Sequence, residues 1–121
     1  MATHLVIGKA AEEMALQYLQ SQHLTLIAKN WRCNYGEIDL IMTDKQSVIF
    51  IEVRYRKQTS WGEPAETVTY SKRQKLIKAA SLFLQQNNSF SAKPCRFDVI
   101  AMTGELKNPA IRWLTNAFSL T

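Results

Sequence analysis

Histidine and cysteine are scarce in this chain of 121 residues, with 2 of each. His4 and His23 stand apart, and neither sits in an HExxH run or a Cys/His cluster, which argues against a zinc site. Cys33 and Cys95 form no CxxC pair. Two lone cysteines fit a reducing cytoplasm better than a disulfide-stapled secreted protein. The N-terminus, Met1-Ala2-Thr3-His4-Leu5, lacks the basic start and apolar run of a secretory signal. No apolar run approaches the length of a membrane span, so no membrane partner is expected.

What is there is a core and a basic balance. Hydrophobic residues make up 46% of the chain, enough for one domain over residues 1–121 to fold without staples. The net charge is +5 and the pI about 9.4. That excess favours a polyanionic partner, although charge alone does not separate nucleic acid from an acidic protein or a lipid surface.

The pattern along the chain alternates helix and strand. Ala11, Met14, Ala15, Tyr18 and Leu19 recur at helical spacing, which predicts a helix from Leu5 to about Gln22 with Thr3 as its N-cap. Leu24 to Ala28, leading into Asn30-Trp31-Arg32, predicts a first strand. Residues 56–70 are polar and punctuated by Gly62 and Pro64, the composition of a long loop. Ser71 is placed to cap a second helix running to about Gln86, with Leu76, Ala80, Phe83 and Leu84 as its apolar stripe. Arg96 to Met102 and Ile111 to Leu114, with Ala117-Phe118 as extension, predict two further strands. Helix, three strands, helix and two strands make an α/β layer with helices packed on a sheet.

The most telling segment is Gly36-Glu37-Ile38-Asp39-Leu40-Ile41-Met42, followed by Phe50-Ile51-Glu52-Val53-Arg54. Two apolar, β-prone runs flank Thr43 to Ser47, which predicts an antiparallel hairpin. With the turn centred on Lys45-Gln46, Asp39 falls opposite Glu52, and Glu37 opposite Arg54. Alternation puts Glu37, Asp39, Ile41, Val48, Phe50, Glu52 and Arg54 on one face. It puts Ile38, Leu40, Met42, Ile49, Ile51 and Val53 on the other. A strand apolar on both sides is covered on both sides. Singly, Glu37 fits a solvated strand start, and Glu52 fits an ion pair with Arg54 or with a lysine from a helix. Face to face, about 5 Å apart, two carboxylates repel unless a cation lies between them.

Few protein groups are needed to hydrolyse a phosphodiester with Mg2+ or Mn2+. Carboxylates hold the metal and leave positions for phosphate and water. Asp39 and Glu52 are the expected metal ligands. Arg54, two residues along the strand, is the expected cation for developing charge. Glu12 on the first helix is the expected outer ligand or orienter of the attacking water.

Asp, a gap, and then Glu-x-basic on a hairpin resembles the signature of restriction-endonuclease-like nucleases. More narrowly, the chain resembles the YraN-like family of bacterial proteins, which are similar to archaeal Holliday-junction resolvases. The matching residues are Gly8 through Glu12 to Ala15, Tyr18-Leu19, Asn30-Trp31-Arg32, Gly36 to Ile41, Phe50 to Arg54 and Arg96 to Val99. The resemblance implies an α/β restriction-endonuclease-like fold with a mixed sheet of about five strands, a metal site at Asp39 and Glu52, and Glu12 as the helix-borne acid. It also implies a predicted endonuclease for branched or single-stranded DNA, and suggests a homodimer, since two-fold junctions suit two-fold proteins. The family motif usually ends in Lys, whereas this chain has Arg54. Arginine stays charged and does not act as a base.

Arg56, Lys57, Lys72, Arg73, Lys75 and Lys78 are the expected nucleic-acid contacts, with Tyr55 or Trp61 as stacking partners. The same residues fit two other readings. One is a catalytically weak or inactive nucleic-acid-binding module on a nuclease scaffold. The other is an interaction domain whose basic helix meets an acidic protein.

Overall fold

The computed structural model describes residues 4–57 and 68–119. Along the chain run helix α1 (His4–Ser21), strands β1 (Thr25–Cys33), β2 (Gly36–Thr43) and β3 (Val48–Arg56), helices α2 (Tyr70–Gln86) and α3 (Asn88–Ser91), and strands β4 (Cys95–Thr103) and β5 (Ala110–Phe118). The five strands form one mixed sheet in the order β1-β2-β3-β4-β5. β3 and β4 pair in parallel, and the other neighbours are antiparallel. The parallel step needs a crossover, and α2 supplies it. This is the restriction-endonuclease-like α/β architecture expected from the motif.

Helices α1 and α2 cover opposite faces of the sheet. Ala11, Ala15, Leu16 and Leu19 of α1 bury against Leu40, Met42, Ile49, Ile51, Ile100 and Met102. Leu76, Ala79, Ala80 and Phe83 of α2 bury against Ile38, Ile41, Val48, Phe50 and Phe97. Each large apolar side chain so buried contributes about 1.5–3 kcal/mol. The central strands are therefore apolar on both sides because both sides are roofed.

The hairpin turns where the sequence places it. Leu40 pairs with Ile51, Ile41 with Phe50, Met42 with Ile49 and Thr43 with Val48, which is the register expected of a turn on Lys45-Gln46. Asp44 ties the turn by accepting the backbone N–H groups of Gln46 and Ser47 at 3.0 and 2.8 Å. The Ser47 N–H is the main cause holding the Asp44 carboxyl below its usual range.

Several expectations need correction. α2 is capped by Thr69, whose Oγ1 accepts the Lys72 N–H at 3.2 Å, and Ser71 lies inside the helix. An extended residue with a free hydroxyl must precede the helix, and Thr69 has that backbone. Past the C-cap Asn87, residues Asn88 to Ser91 add the short α3, where Phe90 stacks on Phe83 with centroids 6.3 Å apart. Thr3 lies outside the described residues, as do Trp61 and most of the 56–70 loop. Ile38 belongs to the α2-side cluster while Leu40 belongs to the α1-side cluster, so strict alternation fails between them. The β1–β2 ladder there steps from Lys29–Leu40 to Trp31–Ile38, passing over Asn30 and Asp39. Asn30 has φ 52, a left-handed conformation that asparagine tolerates better than most residues. That twist at Asn30 and Asp39 is what positions the site.

Candidate metal centre

The β2–β3 ladder ends at Leu40–Ile51. One residue further, the Val53 N–H donates to Asp39 Oδ2 at 2.8 Å in place of a backbone carbonyl. From there β3 continues beside β4 alone, through Arg56–Thr103. The splayed end of the hairpin holds acidic groups from three elements. Glu12 comes from α1, Glu37 and Asp39 from β2, and Glu52 from β3.

Asp39 and Glu52 meet just past the last ladder pair. Desolvation is the largest reason the Asp39 carboxyl is pushed up to about 9; the interaction with the Glu52 carboxyl group and the charges of Glu52 and Glu12 raise it further, and the Val53 N–H lowers it. Glu52 is only 5% exposed. Glu12, Glu37 and Asp39 each present an oxygen within 4.8 Å of the others, a spacing that one cation can bridge. The donors are all hard oxygens, the set that suits Mg2+ or Mn2+. The crowded carboxylates, one of them forced to keep its proton, fit a site built to receive positive charge.

Asn30 is the residue that sequence reasoning missed. Its Nδ2 donates to Glu12 Oε1 at 2.8 Å and to Glu37 Oε1 at 2.9 Å, so one amide holds two carboxylates in place. The available signal was an asparagine inside a β-prone run, where it is normally depleted.

Arg54 is half-buried and leaves β3 on the same side as Glu52, as alternation requires. It does not pair with Glu37. That carboxylate takes Arg32 Nε at 2.8 Å instead, because β1 and not β3 lies beside Glu37 in the sheet. Glu52 is paired with Lys72 of α2, with Nζ 3.3 Å from Oε2.

The basic residues do not form one patch. Lys72 and Lys75 line a cleft of about 190 Å³ with Tyr35, Gly36 and Glu37, and Lys78 Nζ lies 5.8 Å from the Tyr35 ring centroid. Arg73 faces away from that cleft, over the Tyr70 ring and beside Phe118 of β5. Arg56 and Lys57 line a larger groove, about 530 Å³, with Ile7, Ala11, Glu12, Val53 and Tyr55 on the α1 side. Lys57 reaches Glu105 at 4.0 Å, and the Tyr55 hydroxyl donates to the Gly104 carbonyl at 2.6 Å. No helix among the described residues is long and apolar enough to cross a membrane.

Fold and motif together define the class, a restriction-endonuclease-like α/β protein with an acidic centre at a splayed hairpin. The profile of the Uncharacterised protein family UPF0102 matches residues 11–102. Similar proteins carry that family's name: one from Stutzerimonas stutzeri (strain A1501) is 49% identical over 92% of each chain. One from Pseudomonas syringae pv. syringae (strain B728a) is 48% identical, covering 97% of this chain and 96% of its own. The chain belongs to the UPF0102 family, the YraN-like group that its Gly36 to Ile41 motif resembles.

Proposed function

We propose that this chain is a Mg2+- or Mn2+-dependent endonuclease that hydrolyses phosphodiester bonds in branched or single-stranded DNA. One observation carries the reading: half-buried Asp39 lies against buried Glu52, with Glu12 and Glu37 gathered around Asp39. Glu12, Glu37 and Glu52 each have a donor, but Asp39 keeps only the Val53 N–H and otherwise faces these acids, which is costly without a proton or a cation.

Asp39 and Glu52 would hold the metal, which supplies Lewis acidity and a water of lowered pKa. Glu12, steadied by Asn30, orients the attacking water from the α1 side. Arg54 stabilises charge on the phosphate and takes no proton. Lys75 and Lys78 lie along α2 beyond Lys72 and grip the flanking backbone phosphates. The reading includes a homodimer acting on two-fold junctions and a cytoplasmic setting, which the free Cys33 and Cys95 fit.

The test is cleavage of labelled junctions, flaps and single strands with either metal. Nicking by wild type and none by Asp39→Ala is the expected outcome. Equal, background cleavage by both would reject catalysis. A second reading keeps one observation on its side: Lys72 already neutralises Glu52, so the protein can bind nucleic acid through its α2 lysines without metal. That module would bind DNA with a steep salt dependence and no response to chelator.

A further inference from the structure

The ion pair between Lys72 and Glu52 is the feature that the hairpin motif does not account for. The backbone of Lys72 is pinned by the Thr69 cap at the first turn of α2. Its side chain is 46% exposed, while that of Glu52 is 5% exposed. The pair therefore has one fixed, buried member and one tethered to a four-carbon stem that opens on solvent. Nζ lies 3.3 Å from Glu52 Oε2, the carboxylate that also touches Asp39. A divalent ion on Glu52 would sit at about 2.0–2.6 Å from a carboxylate oxygen. Ammonium and metal ion would then repel each other at one carboxylate.

The way out for the ammonium is set by its neighbours. Lys72 lines the cleft that also holds Lys75, Tyr35 and Glu37, the cleft along which the α2 lysines continue to Lys78. A phosphate backbone lying on those lysines ends at Lys72, beside the acidic centre. Arg54 leaves the same face of β3 but forms no ion pair with Glu52 among the described residues.

Resting on the nuclease reading above, we propose that Lys72 is a catalytic residue that exchanges partners. Without metal its ammonium neutralises Glu52. When a divalent ion takes Glu52, the ammonium moves outward and holds a non-bridging oxygen of the scissile phosphate. The helix α2 thus supplies the ammonium that the hairpin motif lacks at position 54.

The experiment measures Mn2+ affinity by calorimetry and DNA turnover for wild type, Lys72→Met, Lys72→Arg and Lys75→Met. With one repelling charge gone, Lys72→Met binds Mn2+ about five- to tenfold tighter. Its kcat falls about a hundredfold while KM changes little, as expected for a group acting mainly in the transition state. Lys72→Arg recovers most of the turnover, and Lys75→Met raises KM without altering Mn2+ affinity. Unchanged or weaker Mn2+ binding by Lys72→Met would overturn the proposal, as would a loss carried by KM alone. A crystal structure of wild type with Mn2+ reads the same exchange without any variant: Nζ is expected to leave Glu52, and an ion pair still in place would overturn it. Failure of the parent reading shows separately, as identical Mn2+ heats for wild type and Asp39→Ala together with no cleavage, and it overturns this proposal too.

Discussion

Two aspartates on neighbouring halves of the sheet, Asp98 fully buried and Asp39 half-buried, are treated in opposite ways. Asp98 on β4 is 1% exposed. It accepts from Arg96 Nε at 3.0 and 3.2 Å, from Trp113 Nε1 at 2.9 Å and from the Asn116 N–H at 2.8 Å. It sits where the β4–β5 register shifts between Phe97 and Val99, and it ties the displaced β5 backbone at Asn116, φ 54, to β4. Asp39 accepts one backbone N–H, from Val53, and otherwise faces carboxylates. The charge type is alike, and Asp39 is half-buried where Asp98 is fully buried, but the larger difference is the balance of donors. A buried acid with a full set of donors holds a fold together, whereas one that faces other acids has a raised pKa, the pattern expected of a site that takes up a proton or a cation.

The contrast breaks most visibly at Asp98. Asp98→Ala leaves the Trp113 N–H and the Arg96 guanidinium without their shared acceptor, and is expected to destabilise by about 3–5 kcal/mol in urea unfolding. Asp39→Asn in the absence of metal is expected to cost far less, or to stabilise above neutral pH. Comparable losses for the two variants would erase the distinction.

Metal sharpens it next. Mn2+ at a hundred times its dissociation constant is expected to stabilise wild type by about 2.7 kcal/mol. The same addition is expected to leave Asp39→Asn unchanged and to act on Asp98→Ala as on wild type, by thermal melting.

A smaller effect is in pH. The folded-state pKa of Asp39, about 9, lies above its ordinary 3.8, so between these values the folded chain holds a proton that the unfolded chain has released. Metal-free stability from this group is complete below the ordinary value and is lost as pH rises toward 9. The slope is at most about 1.4 kcal/mol per pH unit. Asp39→Asn is expected to flatten it, and a wild-type melting temperature that rises over the same range once the variant's curve is subtracted would contradict this account.

The smallest effect is at Asn30. Asn30→Ala loses the amide that holds Glu12 and Glu37, and forces alanine into φ 52, at about 1–2 kcal/mol for the left-handed backbone. Asn30→Gly removes the same amide without that backbone cost. A gap between the two melting temperatures measures the strain, and weakened Mn2+ binding common to both measures the amide.

Much of this was legible in the residues, and the limits are physical. Apolar alternation and the turn residues Asp44 to Ser47 determine the hairpin register as far as Leu40–Ile51, which leaves Asp39 and Glu52 next in line at the end of the ladder. The stripe on α1 and the stripe on α2 likewise predict two roofed faces. Asp98 could not be told from Asp39 by pattern, since both are acids within β-prone runs, and their donors come from residues distant in sequence. Glu37 does not face Arg54, because the hairpin strands diverge past Leu40–Ile51 and cross-strand spacing no longer applies there.

From the sequence alone come the order of elements, the hairpin, the paired carboxylates and the basic first turns of α2, because each depends on periodicity and short-range chain geometry. Only the tertiary structure decided that Asn30 bridges Glu12 and Glu37, that Lys72 and not Arg54 neutralises Glu52, and that the basic residues divide among separate surfaces. Those outcomes depend on how far the sheet twists at Asn30 and Asp39 and on where α2 docks, and such distances are set by packing between segments rather than by any spacing along the chain.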